Sequence, residues 1–186
     1  VQGLASFPSL NNTEDNITLQ NNNEQKIDFL NYKESWFRDD VKKGGGFTLE
    51  QINPFTDCIG RTNFIAAANS IGGTPGSQNS TFDTSPDYVA PKLLDVLILN
   101  DTTLLVRFNE LMDSMSLQTA TYSLSPAISM KSKSAIAPDY EELILTLNTP
   151  IDSGIFYSFS VIDANDCSGN AVEENARLIA LPDNAD

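Results

Sequence analysis

Residues 142–161 read ELILTLNTPIDSGIFYSFSV, and this stretch decides the fold class. Leu143, Leu145 and Leu147 recur at every second position, as do Tyr157, Phe159 and Val161, with Ser158 and Ser160 between them. A period of two sends alternate side chains to opposite faces, which is the mark of a half-buried strand. Pro150 to Gly154 supplies the turn between the two runs. The same period recurs upstream, where Val96 and Ile98 alternate, Asn100-Asp101 turns the chain, and Leu104, Val106 and Phe108 share one face. That pair reads as a hairpin. Tyr122 with Leu124, Ile128 with Met130, and Ala176 to Leu181 mark further strands. Asp113 to Gln118 reads as one helical turn capped by Asp113 or Ser114, with Met112, Met115 and Leu117 toward the core. Short strands with turn signals about every 8–12 residues, and no long helical period, predict a β-sandwich.

The upstream part is organised around Phe47 to Ser80, FTLEQINPFTDCIGRTNFIAAANSIGGTPGSQNS. Phe47, Leu49 and Ile52 give a short strand and residues 63–69 an apolar patch, before Gly72-Gly73-Thr74-Pro75-Gly76 closes the segment. Glycines around a φ-locked proline suit a backbone that turns sharply and stays put, so this is architecture rather than a catalytic loop. Before it, Ile17-Thr18-Leu19 and Ile27 to Tyr32 flank a polar turn and read as a first hairpin. Residues 1–16 read as an extended lead-in with a turn at Asn11-Asn12, and Trp36 and Phe37 as cover for a sheet end. The expected organisation is a first domain over 1–83, a stiff linker over 84–92 bearing Pro86 and Pro91, and a second domain over 93–186.

The chain carries 25 acidic and 11 basic residues, a net charge of −14, and no histidine. Such a surface repels a phosphate backbone or an anionic membrane face, so nucleic acid is not an expected partner. No apolar run approaches the roughly 20 residues of a membrane helix. The missing imidazole removes the serine, cysteine and metal chemistries that depend on it. Cys58 and Cys167, the two cysteines, leave two readings open: an interdomain disulfide or two unpaired thiols. The chain starts at Val1 and reads as a processed product or an excised piece.

Carboxylate pairs such as Glu141-Glu142 and Asp39-Asp40 do not converge on one atom, because strand neighbours point to opposite faces. No catalytic residue is assigned. Asp163 to Asn170 is rich in oxygen ligands but lacks the EF-hand spacing. Asp163 and Asp166 are the calcium candidates, with Asp83 and Asp87 as added ligands if the domain junction folds against the loop; Asx turns explain the loop without metal. Gly44-Gly45-Gly46 leads into a strand, and Gly72-Gly73 lacks the lysine of a phosphate loop. Sequons begin at Asn11, Asn16, Asn79 and Asn100.

Residues 7–83 resemble the later part of a bacterial lamin tail domain, an immunoglobulin-like β-sandwich, in FPSLNN with ITL, SWFRD, GGGFTLEQINP and NSIGGTPGSQNS. Residues 88–182 resemble an S-layer-type bacterial immunoglobulin-like domain, in VAPKLLDVLILNDTTLLVRFNELMD and IFYSFSVIDANDCSGNAV with its Asp-x-x-Gly-Asn corner. The resemblance implies two consecutive immunoglobulin-like sandwiches, the first lacking its N-terminal strands, since the Glu-Trp-(Ile or Val)-Glu-Leu type opening motif is absent. A sandwich so shortened exposes a sheet edge and core surface. The expectation is that another copy, a rearranged sheet or a cleaved segment completes it, as a homo-oligomer or by strand exchange. The resemblance further implies a non-catalytic module of a larger secreted or cell-surface bacterial protein, structural or adhesive, with no cofactor. The other reading is an accessory carbohydrate- or protein-binding domain of a secreted enzyme. Exposed coplanar rings among Trp36, Phe37, Tyr88, Tyr140 and Tyr157 would favour that reading.

Overall fold

The computed structural model describes residues 9–56, 60–137 and 139–182. The chain divides into two compact units, Val1–Thr84 and Ser85–Asp186. Both are all-β.

In the first unit, β1 (Glu14–Gln20) and β2 (Lys26–Lys33) form an antiparallel hairpin with Ile17 opposite Leu30. Asn21 closes its turn, because the side-chain oxygen accepts from the amides of Asn23 and Gln25 at 2.9 and 3.0 Å. β1 begins at Glu14, three residues before the apolar alternation that announces it. Residues 34–37, carrying Trp36 and Phe37, form a 3-10 turn that ends on Arg38 in the left-handed region. Trp36 is 3% exposed and packs on Phe64, ring centroids 5.4 Å apart.

A second antiparallel pair joins β3 (Leu49–Gln51) to β4 (Phe64–Ala66), the latter lying within the apolar patch read from the sequence. The glycine segment closes on this pair. Thr48 N–H donates to the Gly72 carbonyl at 2.8 Å and Ala67 N–H to the Thr48 carbonyl at 2.9 Å. The Asn63 side chain brackets the Asn53 backbone, its Oδ1 accepting from the Asn53 N–H at 2.7 Å and its Nδ2 donating to the Asn53 carbonyl at 2.8 Å. That clasp leaves both amide groups satisfied where the chain leaves and re-enters the pair.

The second unit is a sandwich of a four-stranded and a three-stranded antiparallel sheet. Its strands are β5 (Leu93–Asn100), β6 (Thr103–Phe108), β7 (Thr121–Ser125), β8 (Met130–Ala135), β9 (Glu142–Leu147), β10 (Phe156–Ile162) and β11 (Ala176–Ala180). One sheet runs β5-β6-β9-β8 and the other β11-β10-β7. The alternation read from sequence is the buried set: Leu104, Val106 and Phe108, then Leu143, Leu145 and Leu147, then Tyr157, Phe159 and Val161 all belong to one core. Burying each such side chain contributes about 1.5–3 kcal/mol. The predicted helical turn is α1 (Ser114–Thr119); Asp113 is its cap and accepts from the Ser116 amide at 2.5 Å, and Met112 and Leu117 are buried as expected while Met115 points out, 68% exposed. Residues from the expected linker bond within this unit, with Glu173 N–H donating to the Pro91 carbonyl and Lys92 N–H to Asn109 Oδ1. Among the described residues no helix is long and apolar enough to cross a membrane.

Candidate functional site

The Asx-rich loop after β10 is built around Asp166, which is 2% exposed. Its Oδ1 accepts from the amides of Ser168 and Asn170 at 2.8 and 2.7 Å, and its Oδ2 accepts from Asn170 Nδ2 at 2.8 Å. Backbone bonds from Asp166 N–H to the Asn170 carbonyl and from Gly169 N–H to the Asp166 carbonyl tighten the same turn. Gly169, at φ +90°, is the residue that permits it.

This loop meets two other carboxylates. One oxygen from each of Asp87, Glu110 and Asp166 lies within 4.8 Å of the others. Asn170 Nδ2 also donates to the Asp87 carbonyl at 3.1 Å, which ties the segment before β5 to the loop. Of the calcium candidates, Asp166 and Asp87 come together, and Asp163 stays outside the group. Asp163 is exposed at φ +62°, and its carbonyl accepts from Ser116 Oγ at 3.3 Å. Asp83 belongs to the first unit, where its amide donates to the Ile52 carbonyl. Glu110, 7% exposed, is the member that sequence reasoning missed. Its only signal is its place next to the buried Leu111 and Met112. Three carboxylate oxygens are hard donors of the kind calcium takes, but calcium takes six to eight, and Asp166 already accepts three N–H bonds.

The first unit holds a second buried carboxylate. Glu50, on β3 and 3% exposed, accepts from Thr74 Oγ1 at 2.5 Å, Ser80 Oγ at 2.7 Å and the Thr81 amide at 3.2 Å. Ser80 Oγ in turn accepts from the amides of Ala68 and Asn69. Burial disfavours the charged carboxylate, yet the bonds from Thr74, Ser80 and Thr81 outweigh it and hold the group below its ordinary value. Glu50 thus fastens the glycine-proline segment to β3.

The adjacent acidic pairs do separate work. Asp39 Oδ1 accepts from the amides of Val41 and Lys42 at 2.9 and 3.1 Å, bonds that lower its pKa, while Asp40 pairs with Lys43 at 2.8 Å. Glu142 lies on β9 opposite Arg107. Of the five aromatics, Trp36 and Tyr157 are buried in separate cores, Phe37 and Tyr140 are half-buried, and only Tyr88 is open, at 82%. An apolar groove of about 370 Å³ lies in the first unit between the hairpin residues Ile17, Leu30 and Tyr32 and the side chains of Phe37, Phe47 and Phe64. Cys58 lies outside the described residues, and among those described no cysteine is free.

No protein-family model matches the sequence, and no curated protein does. Three solved structures of S-layer proteins resemble it at 17% identity and a TM-score of 0.45. The S-layer protein rSbsC(31-844) and surface layer protein SbsC, domains 1-6, each match 50% of this chain with 14% of their own. The N-terminal part of the bacterial S-layer protein SbsC matches 50% of this chain with 24% of its own.

Proposed function

We propose that the chain is a non-catalytic module of a secreted or cell-surface bacterial protein, a structural or adhesive spacer of two β domains, the second an immunoglobulin-like sandwich. One observation carries the reading: the two best-defined buried carboxylates, Glu50 and Asp166, close loops. Each accepts three or more hydrogen bonds from its own neighbourhood. A general acid or base needs a free lone pair or proton facing a substrate, and these oxygens are taken up by hydroxyl and amide donors of the loops they close. The sheet order of the second unit supports the immunoglobulin-like part, since four strands ordered β5-β6-β9-β8 against β11-β10-β7 is the constant-type arrangement. The module works without a cofactor.

Binding of a carbohydrate by stacked rings has less behind it, because two of the five candidate rings are core residues. Brief protease treatment of intact cells that make the parent protein tests the proposal. Peptides from this chain are expected in the supernatant before lysis. Their recovery only after lysis would overturn a surface role.

A further inference from the structure

Four sequons run through the described residues, and an asparagine accepts an N-linked glycan only where its Nδ2 is unused and reaches solvent. Geometry sets three of them aside. Asn79 Nδ2 already donates to the Gln51 carbonyl at 2.9 Å, and the Ser80 hydroxyl that completes its sequon is spent on Glu50. Asn100 closes the turn between β5 and β6, where its Oδ1 accepts from the Thr102 amide and hydroxyl at 3.0 and 3.1 Å. The Asp101 and Thr102 carbonyls accept from the amides of Ile151 and Leu147 at 2.7 and 2.8 Å, so that turn is held on both sides. Asn11 lies on the rim of the apolar groove, its amide held by Asp15 and its carbonyl by the Tyr32 hydroxyl, while the Thr13 carbonyl accepts from the Glu34 amide.

The sequon of Asn16 is built differently. It lies on β1, in the run Glu14-Asp15-Asn16-Ile17-Thr18. Glu14, Asn16 and Thr18 occupy alternate positions, so the three side chains leave one face of the strand, and all three are exposed. The opposite face carries Ile17, which lines the groove with Leu30. The Asn16 backbone amide donates to Asp15 Oδ1 at 2.8 Å, and among the described residues no hydrogen bond engages the side chains of Glu14, Asn16 or Thr18. β1 pairs with β2 alone, in a sheet of two strands. A two-stranded hairpin is marginal by itself, so an enzyme can lift this strand at the cost of one ladder.

We propose that Asn16 is an N-glycosylation site, the donor being an oligosaccharide carried on a polyprenyl pyrophosphate. In the transfer, Asn16 Nδ2 bonds to the anomeric carbon of the donor as the bond from that carbon to the pyrophosphate oxygen breaks. The polyprenyl pyrophosphate leaves with the electron pair, and one Nδ2 proton passes to a base of the transferase. Thr18 presents its hydroxyl and Glu14 its carboxylate on either side of the amide, and the carboxylate suits a cationic contact from the enzyme. A glycan here stands on the face turned away from the groove. The inference rests on the secreted or cell-surface reading, since donors of this class are used outside the cytoplasm.

The test is made in vitro on the purified full chain. It is incubated with an undecaprenyl-pyrophosphate-linked oligosaccharide and a bacterial single-subunit oligosaccharyltransferase of the kind that requires an acidic residue two before the asparagine. Intact mass is expected to rise by one glycan per chain. Asn16→Gln and Thr18→Val are each expected to abolish the gain, while Asn11→Gln and Asn100→Gln keep it. Glu14→Gln is expected to slow transfer by about tenfold or more, the loss of one charge-assisted contact. Circular dichroism confirms that each variant is folded, and a synthetic peptide of residues 13–20 confirms that the transferase is active. An unmodified chain beside a modified peptide, or a glycan that persists in Asn16→Gln, would overturn the inference. Because the chain is presented purified, either result leaves the surface role to be decided by the protease treatment of cells.

Discussion

Glu50 sits at the meeting point of the two most distinctive words in the sequence, GGGFTLEQINP and NSIGGTPGSQNS. Among 25 acidic residues nothing in its immediate sequence sets it apart, because its burial depends on a hairpin partner and a loop that arrives some 24 to 31 residues later. Asp166 is legible because the Asx turns around it are local, whereas Asp87 enters only as an added ligand from the proline-bearing linker. Glu110 was not legible, for the same reason as Glu50. Replacing Glu50 with alanine strands Thr74, Ser80 and the Thr81 amide and is expected to cost about 2–4 kcal/mol. The single tryptophan, Trp36, lies in the first unit's core and reports that unit's unfolding in urea by fluorescence. The folded pKa of Glu50 lies below its unfolded value, so its contribution is complete above about pH 4.3 and is lost as pH falls through the lower folded value. Wild type is therefore expected to lose more stability than Glu50→Gln between pH 6 and pH 3. Equal losses would remove Glu50 from the account.

Among the elements, legibility follows burial. β6, β9 and β10 bury one face each, so their alternation is written in leucine, valine and aromatics. β8, MKSKSA, is an edge strand with its lysines exposed or bonded outward, and only its start at Met130 was visible. β1 and β2 are mostly open on both faces, so their limits extend beyond the apolar residues that signalled them. The 3-10 turn at residues 34–37 left no periodic trace, because four residues span little more than one turn and cannot show a pattern recurring. The glycine turn was legible through chemistry instead. Gly72 adopts φ +90°, and a Cβ there would lie 1.9 Å from the Gly46 carbonyl oxygen. Gly72→Ala is accordingly expected to destabilise the first unit by about 2–4 kcal/mol. Gly44→Ala, where a Cβ meets nothing within 4 Å, is expected to change it by no more than about 0.5 kcal/mol. The same fluorescence titration compares them, and equal effects would mean that the turn relaxes freely.

At the scale of the whole molecule, the cysteines decide how far the two units act as one. The chain has two, and Cys167, in the Asp166 loop of the second unit, is not free. Its partner is then either Cys58 of the same chain or a cysteine of another chain. We propose the first, a bridge between the units. The alternatives separate cleanly on non-reducing gels and by intact mass: an internal bridge gives a monomer lighter than the reduced chain by two hydrogens, and an external one gives a covalent dimer. The monomer is the expected species. An internal bridge closes a loop on the order of 100 residues, worth about 4–5 kcal/mol through the entropy of the unfolded chain. Reduction is thus expected to lower the thermal midpoint of the oxidised monomer, and Cys167→Ser is expected to reproduce that loss and to make the protein indifferent to reductant. A covalent dimer, or a midpoint that reductant leaves in place, would rule out the internal bridge and leave the two units joined only by the chain between them.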